Sequence, residues 1–170
     1  MNDKFERLKT ILGEIADLHH TSALLDWDQQ TFMPAGAAQA RGRQLATINR
    51  IAHDMATSDE LGSLFESLIP WSQSLSEESD EYRLVKVAAR DYMKEVLVPS
   101  DYVEEFSIVT TAAHHAWTEA RGKSDFSIFR PHLERIVDLN RRYVSFFPPA
   151  DHPYDTLLDN FEPGMKTAEV

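Results

Sequence analysis

The chain has 170 residues, enough for one domain with a real core, and 42% of them are hydrophobic. It carries 28 acidic against 17 basic side chains, a formal charge of −11, which disfavours nucleic acid because phosphate binding needs a clustered basic face. There is no cysteine, so disulfide frameworks and thiolate sites are excluded.

No apolar run approaches the roughly 18 residues of a membrane span, and Met1-Asn2-Asp3-Lys4 lacks a signal-peptide core. These features read as a soluble, cytoplasmic protein without a membrane or nucleic-acid partner. The charge is that of a solubilising surface, the sharper alternative being an acidic wall that steers a cationic ligand.

Helical periodicity runs through nearly the whole chain. Phe5, Leu8, Leu12 and Ile15 make the first apolar stripe, extended by Leu18, Leu24 and Leu25 to Trp27, with Asp3 as N-cap. Pro34 and Gly36 break the pattern, since proline lacks an N–H and glycine admits unusual backbone angles. A second stripe follows Ala38, Arg41, Leu45, Ile48, Ala52 and Met55, punctuated by Thr57 and Ser58. Ser58 is the N-cap of a short helix bearing Leu61, Leu64, Phe65 and Leu68, with Asp59 and Glu60 in its first turn and Pro70 as its stop.

Residues 71–76 read as a polar connection. Ser76 with Glu77 and Glu78 opens the next helix, whose stripe is Tyr82, Val85, Ala89, Tyr92 and Val96. Pro99 ends it and Ser100 caps a helix on Tyr102, Phe106, Val109, Ala113, Trp117 and Ala120, closed by Gly122. Ser124, Asp125 or Ser127 starts the last long helix, with Pro131 taken to lie in its first turn and Phe126, Phe129, Tyr143 and Phe147 on a core face. Pro148-Pro149 ends it, and a short helix follows near Tyr154 to Phe161.

Glu162-Pro163-Gly164 is a turn, and Thr167 reads as the N-cap of a helix that stops after one turn. One turn is not a stable helix, so the sequence reads as truncated. The fold class expected is all-α, an antiparallel bundle of about six to seven helices. Residues 1–170 form one helical domain, with 1–36 as a first helix pair and turn, 37–147 as the helical body and 148–170 as a linker into missing polypeptide.

The chemistry-bearing residues are sparse. A helical zinc site of the His-Glu-x-x-His kind needs two histidines at i and i+4. His19-His20 and His114-His115 are adjacent pairs pointing about 100° apart, while His53, His132 and His152 stand alone. His115 and Glu119 share a helix face but make at most two ligands of three or four. No catalytic residue and no metal ligand is therefore assigned.

Asp26 and Asp28 are two residues apart and do not face each other on a helix. Asp28 at a helix end is expected to accept backbone or arginine hydrogen bonds. The functional alternative is that Trp27, Asp28 and Met33 border a substrate groove. Inward Glu-x-x-His pairs of a carboxylate-bridged metal protein are not present.

Three segments carry a resemblance. The first is Trp27-Asp28-Gln29-Gln30-Thr31-Phe32-Met33-Pro34-Ala35-Gly36, followed by Arg41 and Gln44-Leu45-Ala46-Thr47. The second is Trp117-Thr118-Glu119-Ala120-Arg121 with Asp125-Phe126-Ser127-Ile128-Phe129-Arg130-Pro131-His132-Leu133. The third runs from Tyr154-Asp155-Thr156-Leu157-Leu158 to Phe161-Glu162-Pro163-Gly164-Met165. Together, in this order, the sequence resembles the N-terminal region of the carboxypeptidase Taq family of thermostable metallocarboxypeptidases. The family more often has Tyr at the position of Phe32 and Pro-Gly-Gly where this chain has Ala35-Gly36-Ala37.

The resemblance implies an all-helical, cleft-type, commonly homodimeric enzyme that hydrolyses C-terminal residues from peptides with a divalent metal, zinc or cobalt. It also implies that the metal-binding His-Glu-x-x-His helix, with its general-base glutamate, lies beyond this region. The chain would then be one cleft wall, inactive alone, whose partners are a missing C-terminal catalytic part, a peptide substrate and a second copy. A free-standing helical interaction or dimerisation module without catalysis is the competing reading.

Overall fold

A computed structural model describes residues 1–170, apart from the side chain of Ala35. Among the described residues there are seven α-helices, two short 3₁₀ turns and no strand. The helices are α1 (Asn2–Thr31), α2 (Ala38–Ala56), α3 (Asp59–Ser72), α4 (Asp80–Glu95), α5 (Ser100–Lys123), α6 (Phe126–Ser145) and α7 (Pro153–Leu158). The 3₁₀ turns are Ala35–Ala37 and Thr167–Glu169. The chain divides into two compact units, Met1–Ile108 and Val109–Val170, and the division falls inside α5. Among the described residues no helix is long and apolar enough to cross a membrane.

In the first unit, α1 is an antiparallel partner to both α2 and α3. Arg41 reaches Asp28 and Ser22 reaches Asn49, so residue numbers fall on α1 as they rise on α2. Arg7 meets Glu60 and Lys4 meets Ser67, which sets the same sense against α3. The apolar spacing of α1 puts Phe5, Leu8, Ile11 and Ile15 on one face. They pack with Leu61, Leu64, Phe65 and Leu68 of α3 and with Val85, Ala88 and Ala89 of α4. Leu8, Leu68 and Val85 are completely buried, and each such side chain stabilises the fold by about 1.5–3 kcal/mol. The short Ala88 and Ala89 leave room for α4 to lie close. A Cβ on Gly62 would stand 2.5 Å from the Tyr92 hydroxyl, so glycine permits that approach of α3 and α4.

A polar chain crosses this unit beside the apolar core. The Ser22 hydroxyl donates to Asn49 Oδ1 at 2.8 Å, the Asn49 amide donates to Ser107 Oγ at 3.0 Å, and the Ser107 hydroxyl donates to the Val103 carbonyl at 3.0 Å. Each of these three groups finds an acceptor for a proton, which is the condition for tolerating polar groups between helices.

Helix ends follow the expected signals with informative exceptions. Ser58 caps α3, accepting from the Leu61 N–H, with Asp59 and Glu60 behind it. Pro70 does not stop α3, which runs on to Ser72. In the last turn proline removes only the bond to the exposed Glu66 carbonyl, and continuing lets Trp71 pack on Phe5 with ring centroids 5.6 Å apart. Trp71 is thus a core edge rather than part of a polar connection. The cap of α4 is Ser79, not Ser76. Both serines precede two acids, so the local signal is degenerate by one turn.

In the second unit, Gly122 does not close α5. Ser124 does, at φ +52°. The Asp125 N–H donates to the Ala120 carbonyl and the Ser124 N–H to the Arg121 carbonyl, a Schellman ending with serine in the left-handed position glycine usually takes. Asp125 then caps α6 through the Ser127 N–H. Helix α6 begins at Phe126, so Pro131 lies past the free first-turn donors and leaves the Ser127 carbonyl without its helical partner.

The aromatic face of α6 is only half-buried, and Phe126 is exposed. Tyr143 stacks on Phe147 at 4.8 Å and donates its hydroxyl to Asn160 Oδ1 at 3.2 Å.

Beyond α6 the chain folds rather than trails. Buried Asp155 accepts from the Thr167 N–H at 2.7 Å and the Thr167 hydroxyl at 2.6 Å, and from the His152 N–H at 3.3 Å. Thr167 therefore stands inside the closing 3₁₀ turn instead of capping a new helix. Gly164, at φ +86°, completes the turn of Glu162-Pro163-Gly164-Met165, with the Met165 N–H on the Glu162 carbonyl.

Candidate functional site

The candidate groove residues sit where α1 hands over to α2. Helix α1 runs to Thr31, past Trp27 and Asp28. Its end is closed by one carbonyl, that of Asp28, which accepts from both the Phe32 and the Met33 N–H at 2.9 Å. Pro34 then takes an extended conformation and directs the chain into the Ala35–Ala37 turn.

Arg41, on the first turns of α2, ties this junction from the other side. Its Nη2 donates to Asp28 Oδ2 at 2.5 Å, its Nη1 donates to the Leu25 carbonyl, and its Nε donates to Gln44 Oε1 at 3.2 Å. The Arg41 side chain is 12% exposed and that of Asp28 is 35% exposed. The planar guanidinium can serve a carboxylate and a carbonyl at once, which a lysine ammonium on its flexible stem does less well. Asp28 thus has the arginine partner expected of a helix end. Asp26 points elsewhere and accepts from Gln30 Nε2 at 3.0 Å, so the two aspartates do not act as a pair.

Trp27 takes no part in the Arg41 clamp. It is 54% exposed and packs edge-on against Phe32, which is 75% exposed, with centroids 5.6 Å apart. Leu24, one turn earlier, is also exposed. The tip of α1 therefore presents an apolar edge of Leu24, Trp27 and Phe32 on a rigid support, while Met33 is half-buried behind it. Trp27 and Met33 flank the junction, and Asp28 works beneath it as a structural group. Beside them Gln29 Oε1 is enclosed without a hydrogen-bond partner among the described residues. Neither Gln29 nor the reach of Arg41 to the Leu25 carbonyl has a signature in sequence spacing.

Metal chemistry does not fit the residues present. Among the described residues no group of three or more His, Asp or Glu side chains is placed to hold an ion. His53 is buried in α2 between Glu95 and the Val98 carbonyl. His152 accepts the Tyr154 N–H at the start of α7. Glu119 is drawn to Lys123 at 2.8 Å, whose ammonium holds its carboxyl below the usual range. His114 stacks on Trp117, and the Arg121 guanidinium lies over the same indole at 5.4 Å.

The three motif segments therefore meet three local structures: the α1–α2 junction, the end of α5 with the start of α6, and the Asp155-centred closure. Comparison with known proteins places the chain in a family. The family described as Carboxypeptidase Taq (M32) metallopeptidase matches residues 7–170. Carboxypeptidase 1 of Bacillus subtilis (strain 168) is 34% identical over 155 residues, covering 91% of this chain and 30% of the relative. Thermostable carboxypeptidase 1 of Pyrococcus furiosus is 31% identical over 170 residues, covering 97% and 33%.

Among solved structures, the BsuCP crystal structure superposes with a TM-score of 0.91 at 31% identity, covering 98% of this chain and 33% of that one. Trypanosoma cruzi metallocarboxypeptidase 1 superposes at 0.76 with 28% identity, covering 99% and 34%. This chain spans about a third of the length of the relatives it matches. Its sequence motifs, its helices and its relatives agree, and the chain belongs to the carboxypeptidase Taq (M32) metallopeptidase family.

Proposed function

We propose that this chain is the N-terminal helical wall of a metallocarboxypeptidase, and that Trp27, Asp28 and Met33 border the groove that receives a peptide. The observation that carries this reading is the rigid α1–α2 junction. Arg41 fixes Asp28 and the Leu25 carbonyl beneath an edge of exposed apolar side chains, Trp27 and Phe32. Aromatic groups held on a stiff support suit recognition, because little freedom is lost on contact.

Among the described residues there is no three-ligand cluster. The divalent ion, zinc or cobalt, and the glutamate that activates its water belong in this reading to polypeptide outside these 170 residues. The test is release of C-terminal residues from short peptides by the purified chain with zinc or cobalt added. No release above the metal-only rate is expected, and robust turnover would overturn the reading.

The exposed Leu24, Trp27 and Phe32 also support a second reading, a helical module whose function is self-association without catalysis. Sedimentation tests this second reading. A dimer that persists in a Trp27→Ala variant removes this edge from the contact, and a monomer at high concentration rejects the module altogether.

A further inference from the structure

His53 is 6% exposed, and both of its ring nitrogens face acceptors. Nδ1 lies 2.9 Å from Glu95 Oε2 at the end of α4, and Nε2 lies 2.7 Å from the Val98 carbonyl in the turn that leads to α5. A neutral imidazole has one N–H and cannot donate to both. Only the imidazolium satisfies this geometry. We infer that His53 is a protonation-dependent latch, which as the cation ties α2 to both the end of α4 and the α4–α5 turn, and as the neutral ring keeps only one of them.

The surroundings decide which tie is lost. The Glu95 side chain is 50% exposed and can turn to water. The Val98 carbonyl belongs to a buried residue and would be left unsatisfied, which costs about 1–3 kcal/mol for a buried acceptor. The neutral ring therefore keeps its proton on Nε2 for Val98 and releases Glu95.

The charged groups that face the ring are Glu95 from α4 and Asp54 from α2. Asp54 is itself held by the Ser100 hydroxyl of α5 at 2.6 Å and by Arg50 at 3.0 Å. The start of α5 thus keeps an anchor that does not pass through the His53 ring, while the end of α4 is tied to that ring itself. Burial pushes the imidazole down. Its bonds to Glu95 and Val98, with the charges of Glu95 and Asp54, more than offset that and hold it above the ordinary 6.5.

The sign follows. The stabilisation is complete below the unfolded value and is lost as pH rises through the higher folded one. Release under alkaline conditions loosens the turn of Val96–Val98, whose Leu97 and Val98 N–H groups rest on the Lys94 and Glu95 carbonyls.

The experiment is ring-selective NMR of His53 in the full 170-residue chain from about pH 5 to about pH 9, with amide-exchange protection factors for Leu97 and Val98 across the same range. The expected result is a midpoint above 6.5 and a fall in protection of at least roughly threefold through that midpoint. In Glu95→Gln, a surface change compatible with folding, the midpoint drops by about half a unit or more and the step in protection disappears. His53→Gln gives protection that is flat with pH. A wild-type midpoint at or below 6.5, or a protection step that survives in Glu95→Gln, overturns the inference.

Discussion

Arg41 Nη2 and Asp28 Oδ2 stand 2.5 Å apart across the turn that joins α1 to α2, and the same guanidinium also holds the Leu25 carbonyl inside α1. One side chain thus fixes both the direction of α2 and the end of α1. Arg41→Ala strands a half-buried carboxylate and removes charge-assisted bonds, at a cost of about 2 kcal/mol. Arg41→Lys recovers less than half of that, because an ammonium cannot span both acceptors with fixed geometry. Urea unfolding of the two variants measures the difference. Equal stability of Lys and Arg at this position would mean that the fork geometry contributes nothing.

The edge above that clamp should behave oppositely. Trp27→Ala removes a side chain that is 54% exposed and should change stability by less than about 0.5–1 kcal/mol. Leu68→Ala, at a position with no exposed surface, should cost about 2–5 kcal/mol. A Trp27→Ala loss as large as that of Leu68→Ala, in the same denaturant series, would show that the edge belongs to the core.

Ser124 occupies left-handed backbone at φ +52°, where a Cβ costs about 1–2 kcal/mol relative to glycine. Ser124→Gly should therefore raise the midpoint of thermal unfolding, through a net stabilisation of roughly 0.5–1 kcal/mol after glycine's greater unfolded freedom is subtracted. Ser124→Val should lower it. A destabilised glycine variant would point to an interaction of the serine side chain that outweighs the backbone term.

Asp155 gives an acid-side counterpart to His53. Its bonds from the Thr167 hydroxyl and N–H, then from His152 and nearby Lys166, offset the effect of burial and bring its carboxyl from the usual 3.8 down to about 2. A depressed carboxyl contributes stability that is whole above the unfolded value and is lost as pH falls through the folded one. The Thr167 amide resonance should hold its position as pH falls through about 4 and then shift with a midpoint near about 2. In Asp155→Asn the shift should be absent and the closing turn less protected from exchange at neutral pH.

Much of this fold was legible in the sequence because its signals are local. Ser58 followed by two acids acts within one helical turn, and the stripe Phe5, Leu8, Ile15 fixes a buried face by spacing alone. The misreadings arose where distant partners decide or where neighbouring local signals compete. Pro70 reads as a stop, yet Trp71 finds Phe5 and the helix continues. Gly122 reads as a helix end, yet the left-handed residue is Ser124. Thr167 reads as a cap, yet its donors go to a carboxylate twelve residues earlier.

The site divides in the same way. Trp27, Asp28 and Met33 could be singled out from their crowding at a helix break. Burial of His53 and the enclosed Gln29 oxygen depend on helices that meet only in three dimensions.

The relay from Ser22 through Asn49 to Ser107 has an evolutionary corollary. Each member is useful only while the other two remain, so an apolar replacement at one leaves an orphaned group on its neighbour. Drift at these positions should consequently be correlated. Homologues should either inherit the trio intact or have exchanged it wholesale for hydrocarbon, with mixed states rare.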